Sequence, residues 1–307
     1  MNKVQVDYDL IIIGSGPGGM NACLYATRSK LKTLVIERNC PGGKVVKATT
    51  VENWIGTEKI SGVDLSLQMF KHSFSYGGVY EQGNVLDVVD YNDYKEVVLK
   101  DKKYRCYAVI IAIGTSEKKS GFIGEEKYYG KGISYCAVCD ASLYKNKTIV
   151  VIGNGNHALE ETLYLTDFAS KIYLINEKDH FEAKQSLIND IESNDKVEII
   201  HNAIVKKVNG KDTVENLVIE VNGEERNINT EIVFPLLGDS PDTKFVDKLK
   251  ITNEKGYVIV DEFKQTKIEG IYAVGDCTTT QLKQIVTASG DGAIAAINAY
   301  KYIQKKK

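Results

Sequence analysis

Two stretches of this chain repeat one pattern of apolar and polar positions. The first runs Tyr8-Asp9-Leu10-Ile11-Ile12-Ile13 into Gly14-Ser15-Gly16-Pro17-Gly18-Gly19. It continues as a helical stretch to about Lys30 and closes with Thr33-Leu34-Val35-Ile36-Glu37. The second runs Thr148-Ile149-Val150-Val151-Ile152 into Gly153-Asn154-Gly155-Asn156-His157-Ala158. A helical stretch to about Phe168 follows, and then Lys171-Ile172-Tyr173-Leu174-Ile175-Asn176-Glu177. Each predicts strand, glycine turn, helix, strand. The apolar runs are continuous rather than alternating, as parallel strands covered on both faces require.

Two more apolar runs end in glycine before a polar stretch. Val109-Ile110-Ile111-Ala112-Ile113-Gly114 precedes polar residues 115–120, and Ile232-Val233-Phe234-Pro235-Leu236-Leu237-Gly238 precedes Asp239-Ser240-Pro241-Asp242. These polar stretches read as a pair of linkers around an insertion. The expected organisation is an α/β fold of two Rossmann-like three-layer domains, the second inserted into the first. Residues 1–118 and 244–307 would form one domain and 119–243 the other. Residues around 80–107 and 196–230 alternate over shorter spans with turn residues such as Asn209-Gly210 and Asn222-Gly223, and predict small antiparallel sheets.

The glycine turns carry the first chemistry. Gly14 and Gly153 permit the tight turn, Gly16 and Gly155 let a pyrophosphate approach the backbone, and Gly19 and Ala158 let helix pack on strand. Ser15, Pro17, Gly18, Asn156 and His157 complete the two loops. The helix that follows offers free N–H groups and the positive end of its dipole to phosphate. Glu37 and Glu177, each at the end of a second strand, stand about where an acid would take the ribose hydroxyls.

Charge narrows the partners. The formal net charge is −2 and the only basic run is Lys305-Lys306-Lys307, so no nucleic-acid surface is expected. The N-terminal apolar run is too short for a signal-peptide core or a membrane span, so the cytoplasm is the expected compartment and no membrane partner is expected. Of six cysteines only Cys136 and Cys139 are closely spaced, in Cys136-Ala137-Val138-Cys139-Asp140. In a reducing compartment a CxxC is redox-active or metal-binding. Zinc needs four ligands, and neither a second CxxC nor a nearby histidine pair supplies them, so no metal is expected. Set between two nucleotide units, the dithiol suggests electrons that arrive on cofactors and leave through sulfur. A CxxC at a helix start lowers the thiol pKa; the Asp140 carboxylate beside it opposes that, which fits an acid/base role better than activation.

Taken in order, these pieces resemble the low-molecular-weight bacterial thioredoxin reductases over essentially the whole chain. The resemblance rests on residues 14–19, Pro41-Gly42-Gly43-Lys44, Val51-Glu52-Asn53-Trp54, Ala112-Ile113-Gly114, 136–140, 153–158, Gly275-Asp276 and Lys283-Gln284-Ile285. It implies a homodimeric FAD enzyme that reduces thioredoxin or a thioredoxin-like protein. The first glycine unit would hold the ADP part of FAD, with Glu37 on its ribose. Gly43, Lys44, Asn53, Ala112, Gly114, Gln284 and Ile285 would lie near the flavin or its linker, and Gly275 and Asp276 at the ribityl chain. Cys139 would face the flavin, Cys136 would exchange with thioredoxin, and Asp140 would shuttle a proton. It also implies a rotation about the linkers that brings the dithiol and the second nucleotide unit to the flavin in turn.

The chain departs from the family in the loop after the second unit's second strand. Members that use NADPH carry a His-Arg-Arg…Arg pattern there, and the three arginine positions are Glu177, Lys178 and Glu182 in this chain. Two carboxylates repel a 2′-phosphate, and one lysine does not replace arginine forks. NADH is therefore the expected donor over NADPH. The alternatives are a protein donor such as ferredoxin or flavodoxin, weak NADPH use, and, in another class, a flavin-binding sensor without turnover.

Overall fold

Strand β1 (Tyr8–Ile13) is buried from Asp9 onward, and its alternate residues enter two different cores. Leu10 and Ile12 join Ala22 and Ala26 of helix α1 (Pro17–Arg28), whereas Ile11 and Ile13 join Leu34 and Ile36 of β2 (Thr33–Glu37) and a second apolar layer. Both faces are covered, which is why no polar alternation marks the strand. The structure, a computed structural model, describes residues 4–48 and 50–307.

Helix α2 (Gly62–Phe74) is capped by Ser61, whose hydroxyl accepts the Asp64 N–H at 3.0 Å. Strands β3 (Val79–Gln82), β4 (Asp87–Asp90), β5 (Lys95–Val98) and β6 (Lys103–Ile111) complete the order β3-β2-β1-β6-β5-β4. The separate antiparallel sheet expected around 80–107 is thereby corrected. Strand β3 is parallel to β2, and β4 and β5 extend the main sheet. The cause is the length of β6, whose first residues pair antiparallel with β5 while its last six pair parallel with β1.

Strand β7 (Ser116–Glu117) leads into the inserted segment, which includes the short helix α3 (Ala137–Asp140), β8 (Thr148–Ile152), α4 (Asn156–Thr166), β9 (Lys171–Ile175), α5 (Gln185–Glu192) and β10 (Val197–Ile200). Strands β11 (Ala203–Asn209), β12 (Asn216–Val221) and β13 (Glu224–Asn229) form the expected antiparallel sheet. Its last hairpin turns on Asn222 and Gly223, both at positive φ, the conformation that suits a two-residue hairpin. Strand β14 (Ile232–Pro235) completes a parallel sheet, β10-β9-β8-β14, and β15 (Asp239–Ser240) leads out. Strand β16 (Ile271–Ala273) then pairs with β6, and α6 (Ile285–Lys306) packs on α1.

The polypeptide thus divides into two units, the chain up to Ser116 with Ser240–Lys307, and Glu117–Asp239. The crossings lie two and four residues earlier than the polar stretches suggested. Lys118 donates its N–H to Gly238 O within the inserted unit, while Asp242 pairs with Arg38 at 2.9 Å and Thr243 donates to Gly256 O within the first.

Candidate active site

In the first unit three glycines of the opening loop have different surroundings. A Cβ on Gly14, which sits at φ +103°, would lie 2.4 Å from Ala112 O, and one on Gly19 would lie 2.0 Å from Gly14 O. Those two are needed for turn and packing. A Cβ on Gly16 would meet nothing within 4 Å. Gly16 is also the N-cap of α1, carries no side-chain cap, and has Pro17 after it. The first-turn N–H groups therefore face open space rather than a side chain, as a phosphate site requires.

Glu37 organises this loop. One carboxylate oxygen accepts the Ser15 N–H at 2.7 Å and its hydroxyl at 3.0 Å, and the other accepts the Asn39 N–H at 2.9 Å. A carboxylate offers about four acceptor directions, so capacity remains for a hydroxyl. Glu37 borders a cleft of about 280 Å³ that also takes in Gly14, Gly114, Asn84, Arg38 and Lys244. The last three escaped the sequence reading because they come from loops without a motif.

The remaining flavin-site candidates also converge in this unit. Gly43 lies against Gly16, and Lys44 Nζ donates to Thr115 Oγ1, next to Gly114, at 2.9 Å. Asn53 Nδ2 donates to Gln284 Oε1 at 3.0 Å, while Gln284 caps α6 through a capping box with Thr287. Ile285 packs with Trp54 and Val45. Gly18 approaches Ala288 O and Val274, and Gly275 approaches Ala288 and donates its N–H to Asp291, so the turn bearing half-buried Asp276 is pinned to α1 and α6. Open space at Gly16, an uncapped helix start and an acid with spare acceptor capacity fit a dinucleotide such as FAD.

The second unit repeats the frame. Gly153 N–H bonds Ile175 O at 3.0 Å, as Gly14 N–H bonds Ile36 O at 2.8 Å. A Cβ on Gly153 would lie 2.5 Å from Cβ of Ala158, while one on Gly155 would meet nothing within 4 Å. The register corrects one expectation. The residue equivalent to Glu37 is Asn176, and Glu177 lies one step beyond it and is exposed. Asn176 is fully buried and committed to its own loop, donating to His180 O at 2.8 Å and accepting the Lys178 N–H at 2.9 Å. Lys178 is ion-paired with Glu182, and Glu182 donates its N–H to Asn154 O, which sets that acid beside the glycine loop. Asn156 accepts the Lys184 N–H, and His157 is exposed on the first turn of α4.

Cys136 and Cys139, in this same unit, form a disulfide with Cα atoms 5.3 Å apart. Cys136 is the N-cap of α3, and its sulfur accepts the Cys139 N–H at 3.2 Å. Ser134 Oγ accepts the Cys136 N–H at 3.1 Å. Burial pushes the Asp140 carboxyl above the usual range, with a hydrogen bond from Ser134 pulling against it. Such a group can hold and release a proton beside sulfur. Cys23 and Cys277 are different: burial drives both thiols up to about 12, which leaves them inert. Among the described residues no cluster of three or more His, Cys, Asp or Glu suits a metal, and no helix is long and apolar enough to cross a membrane.

Comparison with known proteins agrees with this geometry. A family model described as pyridine nucleotide-disulphide oxidoreductase matches residues 8–292. A thioredoxin reductase of Bacillus subtilis is 44% identical over 301 residues, 97% of this chain and 95% of the relative. One of Listeria monocytogenes is 42% identical over 303 residues, 98% of this chain and 95% of the relative. The crystal structure of thioredoxin reductase from Streptococcus pyogenes matches with a TM-score of 0.94 at 39% identity, over 97% of this chain and 98% of that one.

Proposed function

The chain belongs to the thioredoxin reductases within the pyridine nucleotide-disulphide oxidoreductase family, and from that premise we propose a path for its electrons. It is an enzyme, a FAD-dependent disulfide oxidoreductase. In the proposed path a nicotinamide nucleotide, NADH in preference to NADPH, is the donor. The Cys136–Cys139 disulfide is reduced next, and the disulfide of thioredoxin or a thioredoxin-like protein is the acceptor. The observation that carries this reading is the disulfide at the start of α3, joined to a second open glycine loop and to an acid with a raised pKa. That intact redox pair also speaks against a sensor without turnover.

Bound FAD would supply the chemistry of taking a two-electron hydride and passing those electrons to a disulfide. The cradle at 14–19, with Gly43 and Lys44, would hold its pyrophosphate, and Glu37 its ribose hydroxyls. Asn53, Ala112, Gly114, Gln284 and Ile285 would border the flavin and its linker, and Gly275 and Asp276 the ribityl chain. Cys136, as thiolate, attacks the acceptor disulfide and displaces one acceptor thiolate. Cys139 then attacks the mixed disulfide, which re-forms Cys136–Cys139 and releases the second thiolate. Asp140 supplies and removes the protons at these sulfurs.

For the donor, Gly153, Gly155, Asn156, His157 and Ala158 would cradle the pyrophosphate. The preference for NADH follows from charge. Glu177 and Glu182 are acidic, Lys178 is engaged by Glu182, and a 2′-phosphate finds no arginine fork. The register supports exclusion of that phosphate more than a grip on the ribose by Glu177. We take the working form to be a cytoplasmic homodimer.

Replacing Cys139 tests the path. Cys139→Ser should bind flavin as the wild type does and reduce thioredoxin only at the uncatalysed rate. Thioredoxin reduction at the wild-type rate would remove the pair from the mechanism.

A further inference from the structure

Lys264 has no part in the scheme above, yet its ammonium is turned inward. Its Nζ lies 2.7 Å from Asp291 Oδ1 on α6, with the lysine side chain 21% exposed and the aspartate 11%. The other oxygen, Oδ2, accepts the Gly275 N–H at 3.2 Å. One buried carboxylate therefore joins this lysine to the turn that carries Asp276.

The backbone is arranged to make that reach. Lys264 stands at φ +63°, in the left-handed region that a lysine enters only at a cost. Asp261 holds it there: its carbonyl accepts the Lys264 N–H at 3.0 Å, and its Oδ1 accepts the N–H groups of Phe263 and Gln265 at 2.9 and 2.8 Å. Lys264 O accepts the Ala273 N–H at 3.0 Å, which ties this turn to β16 just ahead of Gly275. Gly275 is itself at φ +71°, and its carbonyl accepts both the N–H and the hydroxyl of Thr278. On α6, Asp291 lies between Gly290 and Gly292, and a Cβ on Gly292 would lie 2.2 Å from Gly18 O. The same turn of α6 thus touches the first turn of α1 and the turn bearing Asp276.

Left unpaired, a buried carboxylate beside Asp276 would add negative charge where the cradle must accept an anionic dinucleotide. Lys264 cancels that charge and leaves Oδ2 to hold Gly275. Building on the flavin reading above, we propose that Asp291, charge-matched by Lys264, is a positioning residue for the Gly275-Asp276 turn and sets the Asp276 carboxylate for the ribityl chain.

The test follows release of FAD from diluted holoenzyme, with free and bound flavin separated by ultrafiltration. Lys264→Met leaves Asp291 charged and unpaired, and Asp291→Ala orphans the Gly275 N–H. Each should release FAD about tenfold faster than wild type, the size expected for one lost charge-assisted hydrogen bond. Both break one link, so the double variant should release no faster than the faster single variant, and Lys264→Arg should stay within about twofold of wild type. Lys307→Met is the control for stability lost without positioning. It unpairs Asp9 of the same unit from a contact of 2.7 Å and should release FAD at the wild-type rate. Wild-type release from Lys264→Met, or equal acceleration in Lys307→Met, overturns the inference. A double variant about a hundredfold faster, the product of two independent effects, overturns it too. Asp276→Ala keeps two failures apart. Release from it at the wild-type rate sinks the ribityl assignment, whereas fast release from it alone sinks only the role of Asp291 and Lys264.

Discussion

The two glycine units of this chain share a strand order and a register and differ at one decisive position. After the second strand the first unit places Glu37, whose carboxylate gathers the Ser15 N–H, the Ser15 hydroxyl and the Asn39 N–H around an open loop. The second unit places Asn176 there, buried and spent on its own loop, and follows it with the Lys178–Glu182 pair. The lesson is a division of labour. Glycines and apolar runs build the frame in both units, while the polar residue at the strand end differs and, on the function proposed above, would decide how firmly, and which, nucleotide is held.

Exchanging that residue in each unit should break the comparison most visibly. Glu37→Ala orphans two backbone N–H groups and a hydroxyl. At about 1–3 kcal/mol for each buried unsatisfied donor, it should cost FAD affinity a hundredfold or more. The ratio of bound flavin to protein after purification checks this. Asn176→Ala should lower the unfolding midpoint of its own unit and leave flavin content unchanged. Equal flavin loss in both variants would mean that the units are not specialised as described.

A smaller effect separates function from stability at the dithiol. Burial raises the Asp140 pKa in the folded state. From its ordinary value of 3.8 up to the raised one, the folded state therefore binds a proton that the unfolded state has lost. Stability falls as pH rises through that window, and the deficit persists above it. Asp140→Asn should therefore melt a few degrees above wild type at pH 8, with the gap closing as pH approaches 4, while thioredoxin reduction slows. A variant less stable than wild type at pH 8 would contradict the burial account.

Much of the frame was legible. Strands β1, β2 and β8 occupy the predicted residues because continuous apolar runs between glycine turns have few other solutions. The placing of β4 and β5 was not, since alternation marks a strand and says nothing of its neighbour, and here the neighbour was the far end of β6. Glu177 is the carboxylate the sequence offers at the end of the second unit's second strand. The count from the first glycine, which is 23 residues to Glu37, leads instead to Asn176.

The central claim is that nicotinamide electrons enter through the second unit, from NADH, and reach Cys136–Cys139. Anaerobic titration of the purified flavoprotein with NADH, and separately with NADPH, tests it most directly. NADH should bleach the flavin absorbance within seconds, and complete reduction should take two equivalents per chain, one for FAD and one for the disulfide, with NADPH slower. Bleaching by neither nucleotide would contradict the account and point to a protein donor such as ferredoxin or flavodoxin.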